Sequence, residues 1–302
     1  MSADTPDSSD PSGPPDFITG AEIADRLEAL LARAIALKAD RPALGADSLA
    51  GRSVAVIFEQ PSTRTRVSFE VGVAELGGTP IVLRSDELQI SRGESIGDVG
   101  RVLSRFVHAI AIRSLSHERV IELAAAADVP VINALTPLHH PCQAIADLLT
   151  LQERFGNLEG LRVAFVGDGN NVARSLALLG GAAGVEVVVS SPPGLELTDA
   201  AGAKLIADPR EAVAGADAIY TDVWFSMGEE AADSKRAALT PYRIDDDLLS
   251  LAADRAVVLH CLPAHPGEEI SAEVLYGPRS AVFDQAENRV HAQKALLEML
   301  LG

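Results

Sequence analysis

The sequence predicts an α/β fold of two doubly wound domains with parallel sheets, linked by long helices. Apolar runs of strand length alternate with stretches of helical periodicity, and the alternation occurs in two series separated by a long helical stretch at residues 141–155. Apolar strands separated by helices are typical of a parallel sheet whose two faces are both covered. We therefore expect two sheets of similar design, one in each half of the chain.

Composition and periodicity indicate four successive segments. Residues 1–16 contain Ser, Pro, Gly and four aspartates with almost no apolar side chain. Such a segment cannot offset the entropy of ordering, so we predict a disordered tail. The predicted domains cover residues 17–147 and 148–285, and residues 286–302 are predicted to form a C-terminal helix that returns to the first domain.

The predicted elements follow the order of the chain. The first domain begins with an amphipathic helix at about residues 20–39, where apolar residues recur at helical spacing. Its strands are predicted at residues 53–58, 79–83, 109–113 and 130–133. After the helix at 141–155, the strands of the second domain are predicted at residues 161–167, 185–190, 218–222 and 256–261.

Composition and charge argue against several classes of protein. The formal net charge of −18 repels polyphosphates, so we expect no nucleic acid partner. No apolar run approaches the roughly 18 residues of a membrane span and the N-terminus lacks a signal-peptide pattern, so we expect a cytoplasmic protein without a membrane partner. The two cysteines, Cys142 and Cys261, are far apart and predict neither a disulfide nor a metal site.

Ligands of open parallel sheets bind beyond the carboxyl ends of the strands, and the polar motifs of this chain lie there. Residues 62–65 (Ser-Thr-Arg-Thr) follow the first predicted strand and lead into a helix. Hydroxyls, helix N–H groups and arginines together predict a phosphate site, whereas an ordinary Ser/Thr cap beside surface arginines is the alternative. Arg113, at the end of the third strand, is either a ligand contact or a solvated strand end.

Two polar side chains lie at the start of the long helix. His140 and Gln143 can hydrogen-bond a small carbonyl or amide. Pro141 is equally well explained as the first residue of an ordinary helix, so this motif alone leaves both interpretations open.

Residues 167–171 (Gly-Asp-Gly-Asn-Asn) lie where a dinucleotide fingerprint would occur, but the match is poor. Val172 takes the last small position, and the next strand ends in Ser190 rather than leading to an acid for the ribose. The sequence therefore disfavours a nucleotide-dependent oxidoreductase. Asn171 is left to bind a small polar ligand, with a plain strand-to-helix turn as the alternative.

The loop after residues 218–222 contains Asp222, Ser226 and Gly228. A carboxylate and a hydroxyl suit an ammonium group, and exposed loop N–H groups suit a carboxylate, so the loop predicts an amino-acid site. A surface loop that contains Trp224 is the alternative.

Two further candidates lie near the end of the chain. Cys261 follows the last predicted strand beside His260, and we favour a binding role for its thiol over a covalent one, with a buried structural cysteine as the alternative. Arg289 opens the C-terminal helix, where it either points into the cleft or is solvated.

Taken in order, the motifs STRTR, HPCQ, GDGNN, DVWFSMG, HCLP and AENRVH, with Arg113 after the third strand, resemble those of the ornithine carbamoyltransferases. The resemblance covers nearly the whole chain after the tail and places it in the aspartate/ornithine carbamoyltransferase family. It implies transfer of the carbamoyl group of carbamoyl phosphate to the side-chain amine of ornithine, without a metal or an organic cofactor. It also implies a homotrimer or a multiple of trimers.

The resemblance also implies a role for each matching residue. The carbamoyl phosphate site would consist of Ser62, Thr63, Arg64, Thr65, Gln89, Arg113, His140, Gln143, Cys261, Leu262 and Arg289, with Gln89 reaching the site of a neighbouring subunit. The ornithine site would consist of Asn171, Asp222, Ser226 and Met227. Arg113, Cys261 and Asp222 would act in catalysis, Arg113 by stabilising charge and the other two by orienting the amine.

Three departures from the family pattern spare these residues. Pro266 stands where many relatives carry arginine, residues 191–206 are short for a segment that usually contains a helix, and the N-terminal tail is unusual. The sequence leaves two alternative functions open. One is a carbamoyltransferase for another amine, such as putrescine or an acylated ornithine, and the other is a non-catalytic binding relative.

Overall fold

The computed structural model describes residues 15–84, 86–88, 93–225 and 232–302, and it confirms the predicted α/β fold with two parallel sheets. Three predicted site residues, Gln89, Ser226 and Met227, lie outside the described residues, as does most of the predicted tail. No helix in the described ranges combines the length and apolar character that crossing a membrane requires.

The first domain contains a sheet of four parallel strands. Its elements are a 3-10 turn (Ala21–Arg26), α1 (Leu27–Ala39), β1 (Ser53–Phe58), α2 (Thr63–Glu75), β2 (Thr79–Arg84), α3 (Ile96–Leu103), β3 (Ala109–Arg113), α4 (His117–Ala126) and β4 (Val131–Leu135). The strand order is β2-β1-β3-β4, so the winding reverses between β1 and β3. Such a reversal opens a crevice at the carboxyl ends of the two strands.

The second domain repeats this design with five parallel strands. Its elements, from the helix that leads into it, are α5 (Pro141–Phe155), β5 (Arg162–Val166), α6 (Asn171–Ala182), β6 (Glu186–Ser190), β7 (Lys204–Leu205), α7 (Pro209–Val213), β8 (Ala218–Thr221), α8 (Asp233–Leu239), a 3-10 turn (Thr240–Tyr242), α9 (Asp246–Leu249), β9 (Val257–His260), α10 (Ala272–Leu275) and α11 (Val282–Leu301). The strand order is β7-β6-β5-β8-β9, with the reversal between β5 and β8.

Strand register brings the loops of each sheet together. Residues 54–57 of β1 are fully buried because helices cover both faces of the sheet. Phe58 at the end of β1 pairs with Arg113 at the end of β3, and Thr221 at the end of β8 pairs with His260 at the end of β9. Because these strands end level, the segments that follow them emerge side by side.

Two helices hold the domains together. Every residue of α5 from Pro141 to Leu151 is buried, and the helix packs against α1, α6 and α11. Helix α11 also packs against α1 and α2 of the first domain, whereas its first residue, Val282, lies in a hydrophobic cluster of the second. The helix therefore starts earlier than the predicted residue 286, because its first turn belongs to the core of the second domain.

Two local features differ from the predictions, and a third agrees with one. Asp16 is part of the folded chain rather than the tail, because its carboxylate accepts a hydrogen bond from the N–H of Val131 at 2.8 Å. Strand β7 was not predicted, since its two residues are exposed and form no apolar run. Residues 191–203 form turns and bends without a helix, in line with the short length of that segment.

Candidate active site

A cleft of about 570 Å³ lies between the two domains, where the loops after β1, β3, β5, β8 and β9 meet. It is lined by most of the site residues predicted from the sequence, namely Ser62, Thr63, Arg64, Thr65, Arg113, His140, Asn171, Asp222, Cys261, Leu262 and Arg289. The tertiary structure thus brings together motifs that are separated by more than two hundred positions in the chain.

The first wall of the cleft is the start of α2. Ser62 is the residue before this helix, its backbone is extended, and its side chain makes no capping hydrogen bond to the helix. The hydroxyl instead accepts a long hydrogen bond of 3.5 Å from Nη1 of Arg113. The ordinary Ser/Thr cap is therefore not formed, and the free N–H groups of the first helical turn remain available to an anion.

Three arginines surround this helix start. Arg64, Arg113 and Arg289 all line the cleft, and Arg113 and Arg289 are largely buried there. The pKa of Arg113 is lowered to about 10, mainly by burial and to a smaller extent by repulsion from Arg289. Its guanidinium therefore remains protonated at neutral pH. The Nε of Arg113 has no hydrogen-bond partner among the described residues. In a chain of net charge −18, this pocket is a local positive site for an anion.

Arg64 also ties the two domains together. Its Nη2 donates to the carbonyl oxygen of Leu262 at 2.5 Å, in the loop after β9. Leu262 has a positive φ of 59° and precedes a cis peptide bond to Pro263. The backbone of Leu262 therefore contacts one of the arginines that line the cleft.

Gln143 lies next to one of these arginines. It is only 1% exposed and lies behind the cleft wall, where its Oε1 accepts from Nη1 of Arg289 at 2.6 Å. Nη2 of the same guanidinium donates to Oγ1 of Thr65 at 3.3 Å. Gln143 therefore holds Arg289 in this structure and does not itself face the cleft.

His140 contributes a neutral imidazole. The residue is 5% exposed, and burial, reinforced by Arg289, Arg113 and Arg64, keeps the pKa of His140 well below its usual value. Its backbone N–H donates to the hydroxyl of Ser175 at 2.8 Å, which anchors the start of α5 to α6. The ring can therefore serve a ligand as a neutral hydrogen-bonding group.

The opposite wall contains Asp222, which follows β8, and Cys261, which follows β9. The Sγ of Cys261 donates to Oδ1 of Asp222 at 2.8 Å. The pKa of the Cys261 thiol is raised well above its usual range, mainly by burial and secondly by the negative charge of Asp222. The thiol is thus a neutral donor, which supports the predicted binding role over a covalent one.

Sequence reasoning missed Asn170, which orients Asp222. The Nδ2 of Asn170 donates to Oδ2 of Asp222 at 2.8 Å, while its Oδ1 accepts from the N–H groups of Val172 and Ala173 and caps α6. Asparagine before a predicted helix is a recognisable cap signal, but only the fold shows that its amide also reaches Asp222. The neighbouring Asn171 donates to the carbonyl oxygen of Thr136 at 2.7 Å and so spans the two domains.

Two groups of described residues bring three possible metal ligands within 4.8 Å of one another. In the first group, Asp222 and Cys261 adjoin His260, whose Nε2 contacts Oε1 of Glu269 at 3.1 Å and whose Nδ1 accepts from the N–H of Leu262 at 2.9 Å. Both ring nitrogens therefore have protein partners, and His260 shapes the loop that carries Cys261. The second group consists of His265, Glu268 and Glu269, and it shares Glu269 with this loop.

Comparisons with known proteins agree with this geometry. Residues 16–153 match the family model described as "Aspartate/ornithine carbamoyltransferase, carbamoyl-P binding domain", and residues 159–300 match its "Asp/Orn binding domain". The ornithine carbamoyltransferase of Acidothermus cellulolyticus is 56% identical over 288 residues, which cover 90% of this chain and 92% of that protein.

Solved structures show the same relationship. The ornithine carbamoyltransferase of Pyrococcus furiosus superposes with a TM-score of 0.90 and 44% identity, covering 96% of this chain and 98% of that one. The enzyme of the same name from Thermus thermophilus gives a TM-score of 0.86 and 46% identity, covering 92% and 96%.

Proposed function

The chain belongs to the aspartate/ornithine carbamoyltransferase family, and we propose that it transfers the carbamoyl group of carbamoyl phosphate to the side-chain amine of L-ornithine, yielding L-citrulline and phosphate. One observation carries this proposal. A positive pocket at the start of α2 faces Asp222, Asn171 and Cys261 across a single cleft, so an acyl phosphate and an amino acid can be held against each other.

The arginine pocket is the proposed site of carbamoyl phosphate. The N–H groups at residues 62–65 and the guanidinium of Arg64 bind the phosphate, and Arg113 reaches both the phosphate and the carbamoyl oxygen. His140 offers a neutral hydrogen-bonding group to the carbamoyl unit, and Leu262 offers its backbone. Gln143 supports the site through Arg289.

The opposite wall is the proposed site of ornithine. Asp222 binds the ammonium group, and Asn171 binds the carboxylate end. The assignments of Ser226 and Met227 to the same site, and of Gln89 to the site of a neighbouring subunit, rest on the sequence motifs alone. The extended side chain then directs its terminal amine towards the carbamoyl carbon near Cys261.

The residue types suit the chemistry. The terminal amine has a pKa of about 10.4 in water and must lose a proton before it attacks. The ammonium form gives its proton to solvent, and the neutral amine then attacks the carbamoyl carbon. As the C–N bond forms, the bond from that carbon to the phosphate oxygen breaks, and the departing phosphate accepts the second proton, which the nitrogen releases. Arg64, Arg113 and Arg289 stabilise the charge that develops on the carbonyl and phosphate oxygens. Holding two small substrates together removes an entropic barrier of roughly 7 to 11 kcal/mol in favourable cases.

The proposed setting is the cytoplasm, in arginine biosynthesis, with assembly as a homotrimer or a multiple of trimers. Gln89 supports the assembly, because its motif matches a family position that acts across a subunit boundary.

The proposed function is tested by measuring carbamoyl transfer by the purified chain from carbamoyl phosphate to ornithine, N-acetylornithine, putrescine and aspartate in parallel. We expect turnover with ornithine alone, because Asp222 and Asn171 suit a free amino-acid end. Turnover with N-acetylornithine or putrescine instead would overturn the assignment of ornithine as the acceptor. It would leave carbamoyl phosphate as the carbamoyl donor. Absence of turnover with all four amines would favour a non-catalytic binding protein.

A further inference from the structure

A buried polar cluster lies behind the cleft, and Asp147 is its centre. Asp147 lies on α5, one helical turn after Gln143, and it is completely buried. Its Oδ1 accepts three hydrogen bonds, from Nε2 of Gln143 at 2.8 Å, from Nε2 of Gln285 at 2.7 Å and from the hydroxyl of Tyr220 at 3.3 Å. These donors come from three elements, α5, α11 and β8, so the carboxylate joins both domains.

The carboxylate determines which way two amides face. A glutamine amide has a donor side and an acceptor side, whereas an ionised carboxylate only accepts. Because the NH₂ group of Gln143 points to Asp147, its carbonyl oxygen points to Arg289, where it accepts at 2.6 Å. Because the NH₂ group of Gln285 points to Asp147, its carbonyl oxygen accepts from the N–H of His260 at 2.8 Å.

Each of these chains of contacts ends at the cleft. Arg289 lines the cleft directly, and His260 is the residue before Cys261. Tyr220, the third donor, precedes Asp222 by two residues at the end of β8. Asp147 therefore touches neither substrate site. It is connected to Arg289 on one wall through Gln143, and to His260 behind the other wall through Gln285.

We propose that Asp147 is a positioning residue for the carbamoyl transfer: it fixes Arg289 on the phosphate side of the cleft and the Cys261 loop on the amine side, an inference that rests on the proposed function. The second oxygen of Asp147, Oδ2, has no hydrogen-bond partner among the described residues. Retaining a completely buried carboxylate with one unpaired oxygen is unfavourable for stability, which supports a role other than holding the fold together.

The charges around Asp147 agree with this role. The positive charge of Arg289, on α11, favours the ionised form of Asp147, and the hydroxyl of Tyr220, on β8, donates to its carboxylate. The negative charge of Asp147 in turn acts on the Cys261 thiol, which follows β9. Burial raises the pKa of Asp147 to about 7, while its hydrogen-bond donors oppose that rise. The carboxylate is therefore mostly ionised at pH 8, where the test is made.

The test compares Asp147→Ala and Asp147→Asn with Thr150→Val. Thr150 is a matched control because it is also a fully buried polar residue of α5 and accepts from Nδ2 of Asn288 on α11 at 3.0 Å, while it does not line the cleft. Steady-state kcat and KM for ornithine and carbamoyl phosphate are measured at pH 8, together with thermal melting of each protein.

We expect Asp147→Ala to lower kcat on the order of 100-fold, because misplacing supporting groups by about 1 Å has an effect of that size. Asp147→Asn has the same shape and retains an acceptor oxygen. Its kcat should therefore be at least about tenfold higher than that of Asp147→Ala. Thr150→Val should keep kcat and both KM values within about twofold of the wild type, even where its melting temperature falls.

Several results would overturn the proposal. Wild-type kcat and KM values in folded Asp147→Ala would do so, as would an equal kinetic loss in Thr150→Val, because the effect would then follow from helix packing. If Asp147→Ala does not fold, a double-mutant cycle of Asp147→Asn and Gln285→Leu decides the question. If the loss of kcat in the double variant equals the product of the two single losses, the two residues act independently, which would contradict a shared chain of contacts. A wild-type chain that turns over no amine would remove the proposed function itself, and this inference with it.

Discussion

The Sγ of Cys261 and Oδ1 of Asp222 lie 2.8 Å apart, although 39 positions separate the two residues in the chain. They meet because Thr221 and His260, the residues that precede them, are register partners at the ends of β8 and β9. The carboxylate therefore receives a neutral thiol on one oxygen and the amide of Asn170 on the other. This arrangement orients Asp222 towards the cleft and keeps the thiol protonated.

Cys261 should react slowly with iodoacetamide between pH 6 and 9, because burial and the charge of Asp222 hold the pKa of its thiol above this range. Asp222→Asn removes the negative charge and should speed alkylation, about tenfold for each unit by which the pKa falls. Alkylation is followed by mass spectrometry in a Cys142→Ala background. Asp217→Asn, just before β8, is the control and should leave the rate unchanged. Labelling of Cys261 at the rate of an exposed cysteine at pH 7 would contradict the assignment.

Arg64 and Arg66 form a matched pair. Arg64 lines the cleft, whereas the side chain of Arg66 is 52% exposed and pairs with Glu70 on the outer face of α2. Arg64→Ala should lower kcat/KM for carbamoyl phosphate by at least about 100-fold, the effect of removing one donor to a developing charge. Arg66→Ala should keep kcat/KM for carbamoyl phosphate within about twofold of the wild type, because an exposed ion pair contributes little to stability. Equal effects in steady-state assays of the two variants would refute the placing of the phosphate.

Asp147 should make stability depend on pH. Its pKa rises from 3.8 to about 7 on folding, chiefly because of burial, so the folded state binds the proton more tightly than the unfolded state. The resulting stabilisation is complete below about pH 4 and is lost as the pH rises through 7. Asp147→Asn lacks this titration, so its free energy of unfolding relative to the wild type should increase between pH 5 and 8, by about 1.4 kcal/mol for each unit of pKa shift within that window. Urea denaturation at both pH values measures the difference, and a difference independent of pH would show that Asp147 does not titrate in this range.

Two glycines of the second domain should respond oppositely to alanine. A Cβ on Gly169 would lie 2.3 Å from the backbone nitrogen of Leu197, so Gly169→Ala must displace the turn that carries Asn170. We expect a loss of roughly 1 to 3 kcal/mol in stability and a lower kcat/KM for ornithine. Gly181, near the end of α6, has open space at that position, and Gly181→Ala should stabilise the protein by about 0.5 kcal/mol. Thermal melting and ornithine kinetics of both variants check these outcomes, and a stable, fully active Gly169→Ala protein would contradict them.

Much of the fold was predictable from local patterns. The predicted strand at 53–58 and helix at 141–155 coincide with β1 and α5, because the apolar run and the proline at the helix start are local signals. Strand β7 gave no such signal, since its two residues pair at the sheet edge and remain exposed. The early start of α11 was missed because Val282 belongs to a core that forms only when distant segments meet.

The sequence by itself determined the class of fold, the strand ends that carry polar motifs and the family to which those motifs belong, because these depend on residue type and spacing along the chain. Only the tertiary structure decided that Gln143 faces Arg289, that Asn170 reaches Asp222 and that the Cys261 thiol is neutral. It also decided that the Asp147 carboxylate accepts from Gln143, Gln285 and Tyr220. Hydrogen-bond direction and thiol pKa depend on burial and on partners far away in the chain. Those partners are brought together by strand register and by the packing of α5 against α11.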